Sequence, residues 1–247
     1  MSEAAYVKLT IVQGVATIEF FHPKGNSLPS DLLEEITQKI YSAENDERVK
    51  VIVIQSGGDK AFCAGASFEE LSTIKNKEEG REFFIGFGNI INAIRKSSKI
   101  VIARVHGKCV GGGVGIAAAA DYTLAMEGAD VKLSELAIGI GPFVIGPAVE
   151  RKIGKSAFTA LAIDATMWRS ADWARRKGLF AELHPDRESL NEAVLRLAET
   201  LTHSSADAMR YLKKIFWEGT EHWDTLLSTR AEISGKLISE QKNMQNK

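Results

Sequence analysis

Apolar and polar residues alternate over Tyr6–Val12 and again over Val15–Phe21, with Gln13-Gly14 between them. That period of two, broken by a glycine turn, predicts a β-hairpin. From Pro29 the period changes. Leu32, Leu33, Ile36, Ile40 and Ala43 recur at helical spacing, and Ser30 is the expected N-cap. Residues 49–55 (VKVIVIQ) form a nearly continuous β-branched run, which predicts a strand covered on both faces and ended by Gly57-Gly58. Phe83, Phe84, Phe87, Ile90, Ile91 and Ile94 mark a helix over 79–96, and Ile100–Val105 is the next buried strand.

The alternation continues. Gly111-Gly112-Gly113 opens an alanine-rich helix over 114–120, followed by short strands at Tyr122–Met126 and 130–133. Ser170 caps a helix over 171–177, Gly178 ends it, and 179–183 reads as a last strand. Beyond residue 188 only amphipathic helices remain, over 189–202, 206–217 and 223–241. The pattern predicts an α/β protein built of stacked ββα turns over 1–188, with a helical region over 189–247. No linker composition separates the two parts.

Composition narrows the function. The 247 residues carry 31 Lys and Arg against 32 Asp and Glu, a formal net charge of -1. No domain-wide basic field exists, so nucleic acid is not the expected partner. Arg175-Arg176-Lys177 and Lys213-Lys214 fit solvated helix faces. The two cysteines form no CxxC, which argues against a zinc knuckle or a thioredoxin-type motif and fits a reducing, cytoplasmic setting. The N-terminus shows no signal pattern, and no apolar run has the length of a membrane span.

Several motifs fail on spacing. Gly154-Lys155-Ser156 would need glycine at position 149 for a P-loop, where Val149 stands. The dinucleotide fingerprint fails at Ile116 and at Val144. The five histidines form no HExxH, no GxSxG precedes a helix, and no metal site is expected.

Three elements survive. Two small-residue turns, Cys63-Ala64-Gly65-Ala66 and Gly111-Gly112-Gly113, each follow a buried strand. The second opens a helix, so its backbone N–H groups point a partial positive charge outward. Both turns fit either tight helix–sheet packing or the close approach of an anionic oxygen. The third element is Glu135, set among Leu133, Leu136, Ile138, Ile140, Phe143 and Val144. A buried carboxylate there would have a raised pKa suited to general acid–base work; a solvent-facing loop glutamate fits the same pattern.

In this order the pieces resemble the crotonase superfamily, also called the enoyl-CoA hydratase/isomerase family. The matching stretches are HPKGNSLPSDLLEEI (22–36), VIVIQSGGDKAFCAGASFEEL (51–71), VIARVHGKCVGGGVGIAAAADYTLA (101–125), the Glu135 loop and SADWARRKGLFAEL (170–183). The resemblance implies a crotonase-like ββα spiral with a C-terminal helical trimerisation region, assembled as a homotrimer or a hexamer of two trimers. It implies an acyl-CoA thioester substrate, with CoA part of that substrate and no separate cofactor. The positions matching the family's two backbone oxyanion donors are Ala64 and Gly112, and the matching proton shuttle is Glu135. Lys24, Gly25, Ala66, Ser67, Phe68, Gly111 and Phe143 match substrate-binding positions, with Ser67 standing where the family usually has Asp. Hydratases of the family carry a second Glu just after the triple glycine; here that position is Gly115. A single carboxylate, with the Gly141-Pro142-Phe143 turn, resembles the Δ3,Δ2-enoyl-CoA isomerases. Double-bond isomerisation is the expected reaction and hydration its alternative. A catalytically silent CoA-thioester-binding subunit is the reading from another class. Phe83, Phe84 and Phe87 are expected in the core rather than around an acyl group.

Overall fold

The computed structural model describes residues 4–245. Its strands are β1 (Tyr6–Val12), β2 (Val15–Phe21), β3 (Ser27–Leu28), β4 (Val51–Ser56), β5 (Ala61–Cys63), β6 (Gly65–Ala66), β7 (Ile100–Val105), β8 (Lys108–Val110), β9 (Tyr122–Met126), β10 (Val131–Lys132) and β11 (Glu182–His184). Its helices are α1 (Ser30–Asn45), α2 (Phe68–Thr73), α3 (Lys77–Lys96), α4 (Gly112–Ala119), α5 (Gly146–Ile163), α6 (Ala171–Arg176), α7 (Arg187–Thr202), α8 (Ala206–Phe216) and α9 (Trp223–Gln245).

The main sheet has six strands in the order β1-β2-β4-β7-β9-β11. Only the β1–β2 hairpin is antiparallel; every later pair is parallel. Successive side chains of a strand point to opposite faces. On one face Ile52, Ile54, Val101 and Ala103 join the large core with α1, α3 and α4. On the other, Val51, Val53, Ile102 and Leu124 pack under Leu190, Ala193, Val194 and Ala198 of α7. This two-sided cover explains why β4 and β7 lack polar alternation. The chain has a mixed α/β fold with a C-terminal helical region. Those helices share its core: Trp223, Leu227, Ala231 and Ile238 of α9 lie in the same cluster as α1 and α3. Among the described residues, no helix is long and apolar enough to cross a membrane.

Three expectations about local structure change. Ser30 is the first helical residue rather than the N-cap, which is Pro29. Proline supplies no N–H and no capping oxygen, and the exposed end is tied instead by Glu70, whose carboxylate accepts from the Ser30 N–H (2.7 Å) and hydroxyl. The last strand runs over Glu182–His184 rather than 179–183. Leu179 and Phe180 are buried core residues, and pairing with β9 begins only where Ala181 N–H donates to Thr123 O at 2.8 Å. The strand placed at 49–55 runs over Val51–Ser56.

Two small sheets carry the functional end of the molecule. β5, β8 and β10 form one, and β3 with β6 the other. They bring the Ala64 turn beside the start of α4. α9 reaches the same region because it meets α3 backbone to backbone: a Cβ on Gly80 would lie 2.6 Å from Gly235 Cα.

Candidate active site

A cavity of about 200 Å³ opens where β6, the start of α4, the Glu135 loop, α3 and α9 converge. Its lining is mostly apolar: Leu71, Phe84, Phe87, Ile138, Ile140, Phe143, Val144 and Ile145 among others. The polar side chains at its wall are Glu135, Ser134 and Ser234. Of the site residues expected from sequence, Ala64, Ala66, Phe68, Gly111, Gly112, Glu135 and Phe143 all line this one cavity.

Glu135 stands at the head of a short 3-10 turn, Leu136–Ile138. The residue as a whole is half-buried, yet its Oε2 is enclosed and has no hydrogen-bond partner among the described residues. Loss of water around the carboxylate disfavours its charge. The pKa is accordingly raised to about 7, with burial as the main cause and one backbone hydrogen bond opposing it. A carboxylate poised there can both take and return a proton near neutral pH.

The glycines around it serve close approach. Gly111 has φ +51°, and a Cβ on it would lie 2.9 Å from Glu135 Oε1. A Cβ on Gly112 would fall 2.0 Å from the Phe87 ring. Gly112 is the first residue of α4, so its N–H has no carbonyl one turn behind it. A Cβ on Gly65 would lie 3.7 Å from that same Gly112 nitrogen. The β6 turn and the head of α4 therefore face each other across the cavity wall.

The amide of Ala64 is already engaged. It donates to Gly25 O at 3.0 Å, and Gly25 bends back to meet it with φ +65°. One step along, Ser67 N–H donates to Leu28 O at 3.1 Å, and the register pairs Leu28 with Ala66. Amides alternate in direction along a strand, so Ala66 turns its N–H away from β3, toward the cavity it lines. The expectation of an Ala64 donor thus meets a physical obstacle, and Ala66 offers the amide instead.

Lys24, Gly25 and Ser67 are not among the described residues lining the cavity. Lys24 is exposed and pairs with Glu69. Ser67 is buried, and its hydroxyl caps α2 by accepting from Glu70 N–H. Phe84 and Phe87, expected in the core only, are both buried and cavity-lining, whereas Phe83 stays in the core. Leu71, Ile145 and Ser234 also line the cavity and are not among the expected site residues, while Pro142 lines it as part of the Gly141-Pro142-Phe143 turn. Ile145 explains the glycine at 115: a Cβ there would lie 2.5 Å from Ile145 Cγ2. The space that a second carboxylate would need is filled by that side chain.

Comparison with known proteins follows the same lines. The family described as enoyl-CoA hydratase/isomerase matches residues 10–245. The short-chain-enoyl-CoA hydratase of Clostridium acetobutylicum is 31% identical over 228 residues, covering 91% of this chain and 86% of that protein. The human mitochondrial Delta(3,5)-Delta(2,4)-dienoyl-CoA isomerase is 27% identical over 209 residues, covering 77% of this chain and 61% of its own length. In fold, the crystal structure of enoyl-CoA hydratase from Bacillus halodurans superposes with a TM-score of 0.87 at 22% identity, covering 98% of this chain and 100% of that one.

Proposed function

Because this chain belongs to the enoyl-CoA hydratase/isomerase family, we propose that its cavity holds the acyl group of an enoyl-CoA thioester and that Glu135 moves a proton on the carbon beside the carbonyl. It is an enzyme of the hydratase and isomerase kind. The observation that carries the finer reading is a lone carboxylate with a pKa near 7, in one apolar cavity with the head of α4.

The chemistry follows from where charge develops. When Glu135 takes a proton from C2 of a 3-enoyl-CoA, the electrons of the C–H bond move into the conjugated system and onto the thioester oxygen. The amides of Gly112 and Ala66 would donate to that oxygen, and the partial positive charge at the head of α4 reinforces them. Loss of one such donor typically slows turnover by about 10²–10³. The same carboxyl group then returns the proton to C4, giving a 2-enoyl-CoA with no net consumption of base. One carboxylate suffices for this, and the packing of Ile145 on Gly115 supports a site that runs on one. Apolar walls keep water from competing for the proton. Lys24 and Gly25, the latter beside Ala64, would meet the CoA portion; no separate cofactor is invoked.

Hydration is the second reading, favoured by the name of the relative that is 31% identical, a short-chain-enoyl-CoA hydratase. Glu135 would then orient the attacking water by itself. A panel of 2-enoyl- and 3-enoyl-CoA thioesters, followed for bond migration and for water addition, separates the two. Migration faster than water addition supports isomerisation; the reverse supports hydration. Neither reaction, with no exchange of solvent deuterium at C2, would leave only a CoA-thioester binder.

Self-association into a trimer, or a hexamer of two trimers, belongs to the same proposal. α8 leaves Tyr211, Leu212, Ile215 and Phe216 exposed on its surface, an apolar group that a second copy would cover. Sedimentation velocity reads the assembly directly, and a monomer at micromolar concentration would contradict it.

A further inference from the structure

The opposite face of the main sheet carries a second depression that shares no residue with the Glu135 cavity. It lies between the β1–β2 hairpin and α7, with a volume of about 570 Å³, and continues into a neighbouring hollow of about 820 Å³ through Val15, Thr17 and Leu195. At its inner end is Arg104, only 7% exposed. Its Nε donates to Asn191 Oδ1 at 2.6 Å, and its Nη1 lies 3.5 Å from His106 Nδ1. Among the described residues no carboxylate forms an ion pair with it. A buried charge without a counter-charge is costly, and native proteins rarely keep one.

The other groups at this end have the same character. Arg187 lines the depression and adds a second guanidinium, held by Gly58 O at 3.0 Å and by Asp59 at 3.1 Å. The hydroxyl of Ser56, in the same wall, is buried and has no partner among the described residues. Glu19 also lines the wall, but its oxygens are taken by Tyr6 OH (2.8 Å) and Gln55 Nε2 (2.7 Å). Outward from Arg104 an apolar strip runs through Val194 and Ala198 to Val15, Leu195 and Val12, the last two 57% and 59% exposed, flanked in the outer hollow by polar Thr17, Glu192, Arg196, Glu199 and His203.

We infer that this groove is a second ligand site, for a free carboxylate with an apolar tail, the head seated between Arg104 and Arg187 and the tail lying along Val15 and Leu195. Planar guanidinium groups match a carboxylate two bonds at a time, and the anion supplies the direct ion-pair partner that Glu19, acting on Arg104 without an ion pair, does not. Burial, then Arg187 nearby, lowers the Arg104 pKa to about 10 against the opposing charge of Glu19, a lowering that an added anion would reverse further. The tail covers apolar surface that the fold leaves open, and each fully buried methylene tightens binding about fourfold.

The test uses the full chain and octanoate, read by calorimetry and by photo-crosslinking with a diazirine-bearing octanoate. Octanoate should bind more tightly than butyrate, and octanamide about tenfold or more weakly than octanoate. Crosslinks should fall in segments 12–19 and 191–203. Arg104→Gln should weaken binding about tenfold or more without loss of the fold, since it removes a buried charge that has no direct ion pair. Leu195→Asp, at an exposed position, should abolish the preference for the longer chain and serves as the second variant. Crosslinks confined to residues around Glu135, equal binding of octanamide, binding of inorganic phosphate as tight as octanoate, or no binding at all would each overturn the inference. So would protection of the groove by a second copy of the chain that octanoate fails to displace.

Discussion

Replacing Glu135 by Gln separates the charge of this side chain from its shape. The wild-type carboxyl is held to a pKa of about 7 against an ordinary 4.5, chiefly by burial. In the unfolded chain it ionises near 4.5, so between these two values the folded state binds more protons than the unfolded one. Stability therefore falls as pH rises through that window and levels off above about 7. At about 1.4 kcal/mol per pH unit between the two pKa values, the loss reaches up to about 3 kcal/mol. Glutamine cannot ionise, so the variant lacks this slope. Urea unfolding of both proteins, at one fixed protein concentration and at steps from pH 4 to pH 9, reads the difference. Other ionisations cancel in the subtraction. The variant should gain up to about 3 kcal/mol relative to wild type on going from about pH 4.5 to about pH 7, whatever constant offset the amide introduces. In the same variant, turnover should drop by about 10²–10⁴ while acyl-CoA binding persists. A difference that stays flat across this range would refute the claim that burial holds the carboxyl neutral.

Gly115→Glu should destabilise the fold by about 1–3 kcal/mol in thermal unfolding, because its Cβ would meet Ile145 Cγ2 at 2.5 Å. Adding Ile145→Ala should relieve the clash and raise water addition relative to bond migration; an unchanged ratio in a folded double variant would show that position 115 has no part in hydration. Lys213→Met removes the cation that pairs with buried Asp121 at 2.5 Å, which Trp217 Nε1 also contacts at 3.1 Å. It should cost about 3–5 kcal/mol in urea unfolding, largely recovered when Asp121→Asn is added. His106 is fully buried, and burial, then Arg104 and Arg187, lower its pKa to about 4. The folded state resists protonation, so stability should fall as pH drops from about 6.5 to about 4, and His106→Asn should flatten this acid limb; an unaltered limb would place its origin elsewhere.

What the sequence made legible was whatever rests on local period or local turn chemistry. The β1–β2 hairpin shows its alternation, and its turn residues Gln13 and Gly14 both take positive φ. The stripes of α1 and α3 and the small-residue head of α4 were equally plain. β3 and β6 were not, because two residues have no period; they exist through pairing with each other. Nor was the break in α5 at Gly154, where φ is +79°. At the site, the apolar setting of Glu135 could be read from its neighbours, but its enclosure depends on α3 and on distant Ser234 of α9. Phe84 and Phe87 follow the same helical stripe as Phe83, and only the position of the Glu135 loop makes two of the three cavity walls. The Ala64 amide looked available until Gly25, from another turn, was seen to occupy it.

Proton exchange at C2 of butyryl-CoA in deuterated buffer probes the catalytic claim with no double bond to move and no water to add. Wild type should incorporate deuterium at that carbon, seen by mass spectrometry, and Glu135→Gln should slow incorporation by about a hundredfold or more. Exchange that proceeds unchanged without the carboxylate, or a wild-type enzyme that turns over enoyl-CoA yet exchanges nothing, would contradict it.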